Sequence, residues 1–520
     1  MQNNLQTNNE NTLKDKNDEN NLCKDKIDLK NNTITKDNEN YSRYRSRINL
    51  MYYAESQGIY EIFGEVFVLD NKNNIDLIIN GKESPLVNKY QLNQGENCIT
   101  LVIKKDLIKL SFMFVGCNCL KNIDELKYLD ISKSKKLEFM FCDCHLLSDI
   151  KALYYWDVSN IQNFQGMFSG CTSLINLNPL INWNVSNGYL FEDMFRGCSK
   201  LMDLTPLITW DVKNGKSFSN MFFRCSSLLE LKPLKNWDVS NAEDFEGMFD
   251  GCSRINNINN LDNWNVSKCK NFSFMFNKCS NLLDITPLEK WDISNATDLN
   301  GMFFGCELLT NVKAVANWNV SNCKNFSHIF NGCSKLQSLE PLQNWNVSNG
   351  TNFKAMFVLC TSLTLLNPLQ NWNVSNGINF EGMFVKCSNV MDLESLENWD
   401  VSKGNNFKTM FAGNDKISNL KGLQNWNVSN GINFEGMFSA CIKLTNINAL
   451  ENWDVSNCQN FSYLFGGCSM LSNIKPLEKW NVSKGNLFRG MFRECSPLID
   501  LTPIESWNIS KENLELIKNK

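Results

Sequence analysis

Residues 237–263 read WDVSNAEDFEGMFDGCSRINNINNLDN, and this pattern returns every 27 residues along most of the chain. All 14 tryptophans keep this interval, as Trp156, Trp183, Trp210, Trp237, Trp264, Trp291, Trp318, Trp345, Trp372, Trp399, Trp426, Trp453, Trp480 and Trp507. Cys117 and Cys144 extend the pattern upstream, with Leu129 in the place of the tryptophan. A fixed period of this length indicates a solenoid or a propeller, and about fifteen copies fit between residues 106 and 512.

Two stretches of each repeat predict different backbone conformations. The stretch F-x-x-M-F-x-x-C, as in Phe245, Met248, Phe249 and Cys252, has the i, i+3, i+4, i+7 spacing of a helix face. We therefore expect one or two helical turns there. The stretch L-x-x-L-x-P-L-x-N-W-x-V often contains proline, which favours short extended segments. The Asx, Ser and Gly residues after the tryptophan are typical of turns with side-chain hydrogen bonds.

These features together predict a leucine-rich-repeat-like solenoid with short parallel strands and short helical turns in each coil. Stacked Trp, Phe, Met, Leu and Val would form one continuous core, because no 27-residue unit can bury its own apolar face. An identical stretch, NWNVSNGINFEGMF, occurs at 371–384 and 425–438. This identity indicates duplication or exchange of coils.

The regions outside the array differ in composition. Residues 1–50 are polar and predict a disordered tail. Residues 51–105 alternate short apolar runs and predict a small β-rich cap, which a solenoid needs because its end would otherwise expose core. The repeats occupy 106–512, and a C-terminal tail at 513–520 follows a charged replacement of the usual apolar stretch.

The repeat resembles the BspA-like leucine-rich repeat family, whose surface-protein repeat has about 26 residues. The resemblance rests on F-x-x-M-F-x-x-C-x-x-L-x-x-L followed by W-[ND]-V-S-N, as in DFEGMFDGCSRINNINNLDNWNVS at 244–267. It covers roughly residues 106–512 and implies a leucine-rich-repeat-like solenoid. Bacterial members are surface proteins linked to adhesion. Here each repeat is one residue longer, and the first residues carry no export signal, which argues against the adhesin role.

Composition excludes several function classes. The net charge is −4, so no basic excess is available to neutralise nucleic acid. No run of 18 apolar residues predicts a membrane span, and the polar start lacks the pattern of a signal peptide. We therefore expect a cytoplasmic protein, with a virion or cell surface as the alternative.

Catalytic and metal-binding chemistry have little support in the sequence. Only two histidines, His145 and His328, are present, and no phosphate loop or hydrolase motif appears. Thiols and an imidazole gather only at the start of the array, where they suggest a candidate zinc site formed by Cys117, Cys119, Cys142, Cys144 and His145. Because Cys-x-Cys spacing tends to point the two side chains apart, we expect no metal, no cofactor and no enzyme activity.

Fourteen of the 21 cysteines, Cys117 and Cys144 among them, recur at one position of the coil, where Asn414 is the single exception. Stacked coils would bring neighbouring cysteines within the Cα distances that disulfides need. Parallel side chains and a reducing compartment favour buried small thiols instead.

Partner binding is the function that the variable positions favour. The two residues before Met-Phe and the two residues before Cys differ from coil to coil. Large apolar or basic residues occupy the positions before Cys in two coils, as Phe223 and Arg224 and as Val358 and Leu359. A second stripe is mildly acidic, at Asn176, Asp203, Glu230, Asp284, Asp392 and Asp500, and either lines a binding strip or forms a hydrogen-bonded ladder, which we favour. We therefore expect a protein-binding solenoid of unknown oligomeric state, with a surface adhesion or structural protein as the alternative.

Overall fold

The computed structural model describes residues 46–518. Its first part is a small β-rich region with one helix. A five-stranded sheet has the order β4-β3-β6-β1-β7 and β2 pairs with β5. The elements are β1 (Ser46–Ala54), β2 (Gly58–Glu61), α1 (Glu65–Asn71), β3 (Ile75–Ile79), β4 (Lys82–Pro85), β5 (Lys89–Leu92), β6 (Gly95–Ile103) and β7 (Leu120–Asn122).

The β-rich region is joined to the array by main-chain hydrogen bonds. Strand β7 belongs to the first coil and pairs antiparallel with β1. Tyr53 N donates to the carbonyl of Cys119 at 2.7 Å, and Gly64 N donates to the carbonyl of Met113 at 3.0 Å. The region therefore covers the core at the N-terminal end of the solenoid.

The F-x-x-M-F-x-x-C stretch is not helical, which corrects the expectation from its apolar spacing. In the coil that begins at Phe164, the N–H groups of Phe164, Gly166, Phe168 and Gly170 donate to carbonyls of the next coil at 2.6–3.0 Å. The N–H groups between them close turns within the coil, as Met167 does on the carbonyl of Phe164 at 3.2 Å. The stretch is thus a parallel ladder made of consecutive turns.

Left-handed residues make this ladder possible. In every coil the residue before Met and the residue before Cys have positive φ, as Gly166 at 60° and Gly170 at 73° do. A right-handed helix has no such residues and forms its backbone hydrogen bonds within its own segment, along the helix axis. Parallel bridges between coils accompany the turns, for example between Asn163 and Leu190.

The proline-containing stretch holds the helical turns, which reverses the second expectation. A 3-10 helix begins directly after the second Leu, as Thr205–Thr209 begins after Leu204, and proline fits its first turn because no hydrogen bond to that nitrogen is needed. These helices are Asp124–Tyr128, Lys151–Tyr155, Asn178–Leu180, Thr205–Thr209, Lys232–Asn236, Asn259–Leu261, Thr286–Lys290, Lys313–Val315, Glu340–Leu342, Asn367–Leu369, Glu394–Leu396, Asn448–Leu450, Lys475–Leu477 and Thr502–Ser506.

Buried side chains form columns that run through the array, which confirms the predicted core. Each Trp Nε1 donates to a Leu or Val carbonyl of the preceding coil, as Trp183 does on Leu153 at 2.9 Å. Phe rings of neighbouring coils stack, as Phe168 and Phe195 do at 5.6 Å and 1°. Both the apolar and the polar parts of the tryptophan are therefore satisfied inside the core.

Spacing along the columns shows that the array is curved. If neighbouring coils were related by translation alone, every pair of equivalent rings in two neighbouring coils would be separated by the same distance. Phe168 and Phe195 lie 5.6 Å apart, whereas Trp183 and Trp210 lie 6.4 Å apart with planes parallel within 5°. Successive coils must therefore rotate, which makes the F-x-x-M-F-x-x-C side concave and the tryptophan side convex.

The C-terminal end carries a short helix, α2 (Lys511–Lys518). Ile517 on this helix is buried, and Leu514 packs against the core. The helix therefore places apolar side chains where the last coil would otherwise meet solvent. The tail predicted at residues 1–50 lies mostly outside the described residues.

We expect Trp318→Ala to lower the free energy of unfolding by roughly 3–5 kcal/mol, because it leaves a large cavity in the column. It also removes the hydrogen bond of Nε1 to the carbonyl of Leu288, which is 3.1 Å long. Denaturant unfolding followed by circular dichroism measures the change. Trp318→Phe is the control, since it keeps most of the volume and should cost clearly less. Equal effects of the two variants would contradict a cavity as the main cause.

Candidate interaction surface

The concave side presents four residue positions per coil, and we call these positions the ladder face. In the coil that begins at Phe164 they are Gln165, Gly166, Ser169 and Gly170, between the buried Phe and Cys columns. This face contains both variable pairs that the sequence singled out. Its backbone is held by hydrogen bonds to neighbouring coils, so the surface is preorganised for binding.

Glycine suits the two left-handed positions of the ladder face, yet many coils place other residues there. The position before Met, or before the Ile or Leu that replaces it, is non-glycine in nine coils with φ of 51–62°, namely Phe112, Phe139, Asp193, Asn220, Phe274, His328, Ala355, Thr409 and Tyr463. The position before Cys is non-glycine in seven coils, namely Asp143, Arg224, Lys278, Leu359, Lys386, Ala440 and Glu494. Left-handed φ costs an L-residue on the order of 1 kcal/mol. These coils therefore accept strain in exchange for a side chain on this face.

Bulky side chains at the position before Met lie over the next coil. A Cβ on Gly301 would sit 2.5 Å from Phe274, and one on Gly490 would sit 2.6 Å from Tyr463. Each of these rings therefore covers a glycine of the following coil. The residue at this position in one coil limits the size of the residue in the next.

Two of the predicted partner-binding residues, Phe223 and Arg224, form a cation–π group. The Arg196 guanidinium lies 4.1 Å from the centre of the Phe223 ring, and the Arg224 guanidinium lies 5.0 Å from it. Arg196 also pairs with Asp193 at 3.2 Å. Phe223 is thus half-buried between two guanidinium groups, and Arg224 is exposed.

The other two predicted residues, Val358 and Leu359, are five coils away. Val358 is half-buried, and Leu359 is exposed although its φ is 60°. The exposed side chain of Leu359 is not stabilised by burial, and its left-handed backbone conformation is unfavourable for an L-residue. The structure places both pairs on the ladder face but does not bring them together.

Charge is distributed unevenly along the ladder face. Glu192 and Asp193 lie on one coil of this face, and Glu246 lies two coils further along, with Asp244 beside the face. Burial raises the pKa of Asp193 and of Asp244, and Glu246 adds to both shifts. Further along, lysines neutralise the carboxylates of the next coil. These ion pairs are Lys354–Glu381 at 3.2 Å and Lys408–Glu435 at 3.0 Å. The N-terminal half of the face is therefore the more acidic half.

Both histidines lie far apart. His328 is half-buried on the ladder face, where Nδ1 lies 3.1 Å from Asn331 Nδ2. Burial, with Lys354 nearby, lowers the pKa of His328. His145 Nδ1 lies 2.8 Å from the carbonyl of Gly170, so donation from Nδ1 explains this contact.

The candidate zinc ligands occupy the first two coils but point to different partners. They are Cys117, Cys119, Cys142, Cys144 and His145. Cys144 Sγ donates to the carbonyl of Phe114 at 3.2 Å, and burial raises the pKa of Cys142 to about 12. Within residues 46–518, no three His, Cys, Asp or Glu side chains form a group suited to a metal ion. The five residues are therefore not assembled as a ligand set.

The cysteine column consists of free thiols that act as hydrogen-bond donors, a role that the sequence did not reveal. Cys306 Sγ donates to the carbonyl of Phe276 in the preceding coil at 3.3 Å, and the same bond recurs along the column. Asn414 replaces cysteine in one coil, and its Nδ2 donates to the equivalent carbonyl of Phe384 at 2.9 Å. Cysteine and asparagine at this position thus share the ability to donate a hydrogen bond. The single asparagine, Asn414, is the feature of the sequence that could have revealed this role.

The acidic stripe on the other side of the coil is mainly structural. Asp203 Oδ1 accepts from Thr205 N at 2.8 Å, and Asp284 Oδ1 accepts from Thr286 N at 2.9 Å. Each of these bonds stays within one coil and joins the residue before the N-cap to the first residue of the 3-10 helix. The Asn and Asp residues of the stripe therefore form Asx turns instead of the ladder that we favoured. The predicted turn after Trp is confirmed, as when Asn184 Oδ1 accepts from Ser186 N at 3.1 Å.

We expect the stability of the protein to fall above pH 9 through the buried thiols. Burial raises the pKa of Cys333 from 9.0 to about 12, so the folded state keeps the thiol protonated. The stabilisation is complete below pH 9 and is lost as the pH rises toward 12. Relative to Cys333→Ser, the wild type should lose about 1.4 kcal/mol per pH unit in this range.

Unfolding by urea at pH 8, 9, 10 and 11 measures this difference, and the serine variant removes the contribution of every other titrating group. A constant difference between the two proteins over this range would contradict the assignment.

Comparison with known proteins identifies the repeat. The family model described as Mycoplasma protein of unknown function, DUF285, matches residues 108–231, 202–309, 280–395 and 405–516, which is more than half of the chain. No curated protein and no solved structure matches the chain. Over residues 46–518, the helices are all too short or too polar to cross a membrane.

Proposed function

The chain belongs to the family described as Mycoplasma protein of unknown function, DUF285, and we propose that it is a non-enzymatic solenoid that binds a protein partner. The binding surface in this proposal is the ladder face. Phe223 and Arg224 form one contact point, and Val358 and Leu359 form another.

The observation that carries the proposal is backbone strain at exposed positions. Arg224 and Leu359 have φ of 56° and 60°, where eight other coils have glycine. Residues that keep a strained backbone while their side chains stay exposed are a reason to suspect function. Arginine and large apolar side chains are also typical of interface hot spots and interface cores.

Two finer assignments accompany this proposal. We assign the coil to the leucine-rich-repeat type, supported by the concave parallel ladder, the convex 3-10 helices and the resemblance to BspA-like repeats. We also place the protein in the cytoplasm, with a virion or cell surface as the alternative. Protease treatment of intact cells separates the two, because only a surface protein would be degraded.

The proposal is tested with the double variant Arg224→Gly and Leu359→Gly. Glycine relieves the left-handed strain, so stability should stay unchanged or rise by up to about 1 kcal/mol per site. Partner binding should weaken at least tenfold, or about 1.4 kcal/mol. Immobilised full-length protein is exposed to an extract of its source organism, and quantitative mass spectrometry compares the proteins that wild type and variant retain.

A matched control carries Lys235→Ala and Gln343→Ala on the convex side. The proposal requires a protein that the wild type and the control both retain and that the glycine variant loses. Retention of the same proteins by all three would refute the role of these residues.

A further inference from the structure

Exposed aromatic and aliphatic side chains cluster on the convex edge of the first four coils. Tyr128 and Tyr155 end 3-10 helices immediately before the Trp position and are 62% and 68% exposed. One residue earlier in their coils, Tyr154, Ile181 and Ile208 are 47%, 40% and 44% exposed. We call these five residues the convex patch.

The repeat itself does not require apolar residues at these positions. In the later coils, the position two residues before Trp is almost always charged or an amide. Its occupants are Lys235, Asp262, Glu289, Ala316, Gln343, Gln370, Glu397, Gln424, Glu451, Glu478 and Glu505. The patch is therefore a local departure from the pattern. It exposes on the order of 500 Å², which is at the upper end for the largest apolar patch of a monomer.

A projecting ring and a groove lie side by side in this patch. The groove has a volume of about 510 Å³ and is lined by Lys127, Lys151, Ala152 and Pro179 together with Tyr154 and Tyr155. The Tyr154 and Tyr155 rings meet edge to face at 5.5 Å and 84°, so Tyr155 is held upright at the rim of the groove. This arrangement suits a two-fold interface, because each copy of the surface offers both a projection and a receptor for it.

Charge around the groove is balanced. Lys151 pairs with Asp124 at 3.0 Å and with Asp149 at 3.3 Å. Lys127 lies over the Tyr128 ring, 4.9 Å from its centre. The two lysines and two aspartates have no net charge that would select an acidic or a basic partner. In a second copy of this surface, rotated by a two-fold axis, lysines of one copy can face aspartates of the other.

We propose that the convex patch binds a second copy of this chain across a two-fold axis. Tyr155 of each copy enters the groove of the other, and Lys127 of each copy meets the carboxylates around Lys151 of the other. A stable interface buries about 800 Å² on each partner, and the convex patch alone supplies more than half of this area. This dimer lies on the opposite side from the ladder face, so it neither depends on the proposed partner binding nor blocks it.

Analytical ultracentrifugation of the full chain tests the dimer. The wild type should sediment at about twice the mass of 59.7 kDa, at concentrations up to about 100 µM, where a micromolar dimer is fully populated. The double variant Tyr155→Ala and Ile181→Glu should be monomeric or dissociate at least tenfold more readily. Both side chains are exposed, so thermal unfolding of the diluted monomer should not change.

The matched control is Gln343→Glu with Gln370→Glu, which adds charge at the same position of two later coils. It should dimerise as the wild type does. A monomeric wild type at 100 µM would overturn the proposal, as would a dimer that the patch variant leaves intact or that the control disrupts equally. None of these results bears on the ladder-face variants, which change different residues and a different measurement.

Discussion

The hydrogen bonds between neighbouring coils are the constraint on which the rest of the structure depends. On the concave side, every second N–H of the F-x-x-M-F-x-x-C stretch donates to the next coil, and the N–H groups between them close turns. This alternation requires a left-handed residue every fourth position. Because half of these donors find no partner within their own coil, a single repeat cannot fold alone. The β-rich region and α2 complete the two ends for the same reason.

The period and the core could be predicted from sequence because they depend on burial alone. Trp, Phe, Met and Leu repeat at fixed positions, and any stacking of equal units must place them together. The conformation of the F-x-x-M-F-x-x-C stretch could not be predicted in this way. Alternating right-handed and left-handed turns bring residues 0, 3, 4 and 7 inward, as a helix does, and the apolar spacing does not distinguish the two. Frequent glycine before Met and before Cys was the signal, since glycine is the residue of choice for positive φ.

The residues of the proposed binding surface were partly visible in the sequence. Variation among coils identified Phe223, Arg224, Val358 and Leu359, because fixed positions build the core and only the remaining ones are free to change. The reason for their variation was hidden, since backbone strain is a property of conformation. The cysteines showed the opposite case. Their regularity suggested sulfur chemistry, whereas Asn414 makes the same hydrogen bond without sulfur. A donor small enough for the core is what this position requires.

Curvature gives the two sides of the solenoid different freedom to change. On the concave side the coils are close, and a large residue before Met lies over the residue at the same position of the next coil, as Phe274 lies over Gly301 and Phe112 stacks on Phe139 at 5.4 Å. A new side chain there therefore requires a compatible neighbour. The identical stretch at 371–384 and 425–438 carries Gly382 and Gly436 at this position, which accept different preceding residues. Coils with such a glycine can be copied into new places, whereas the wider convex side can change one residue at a time.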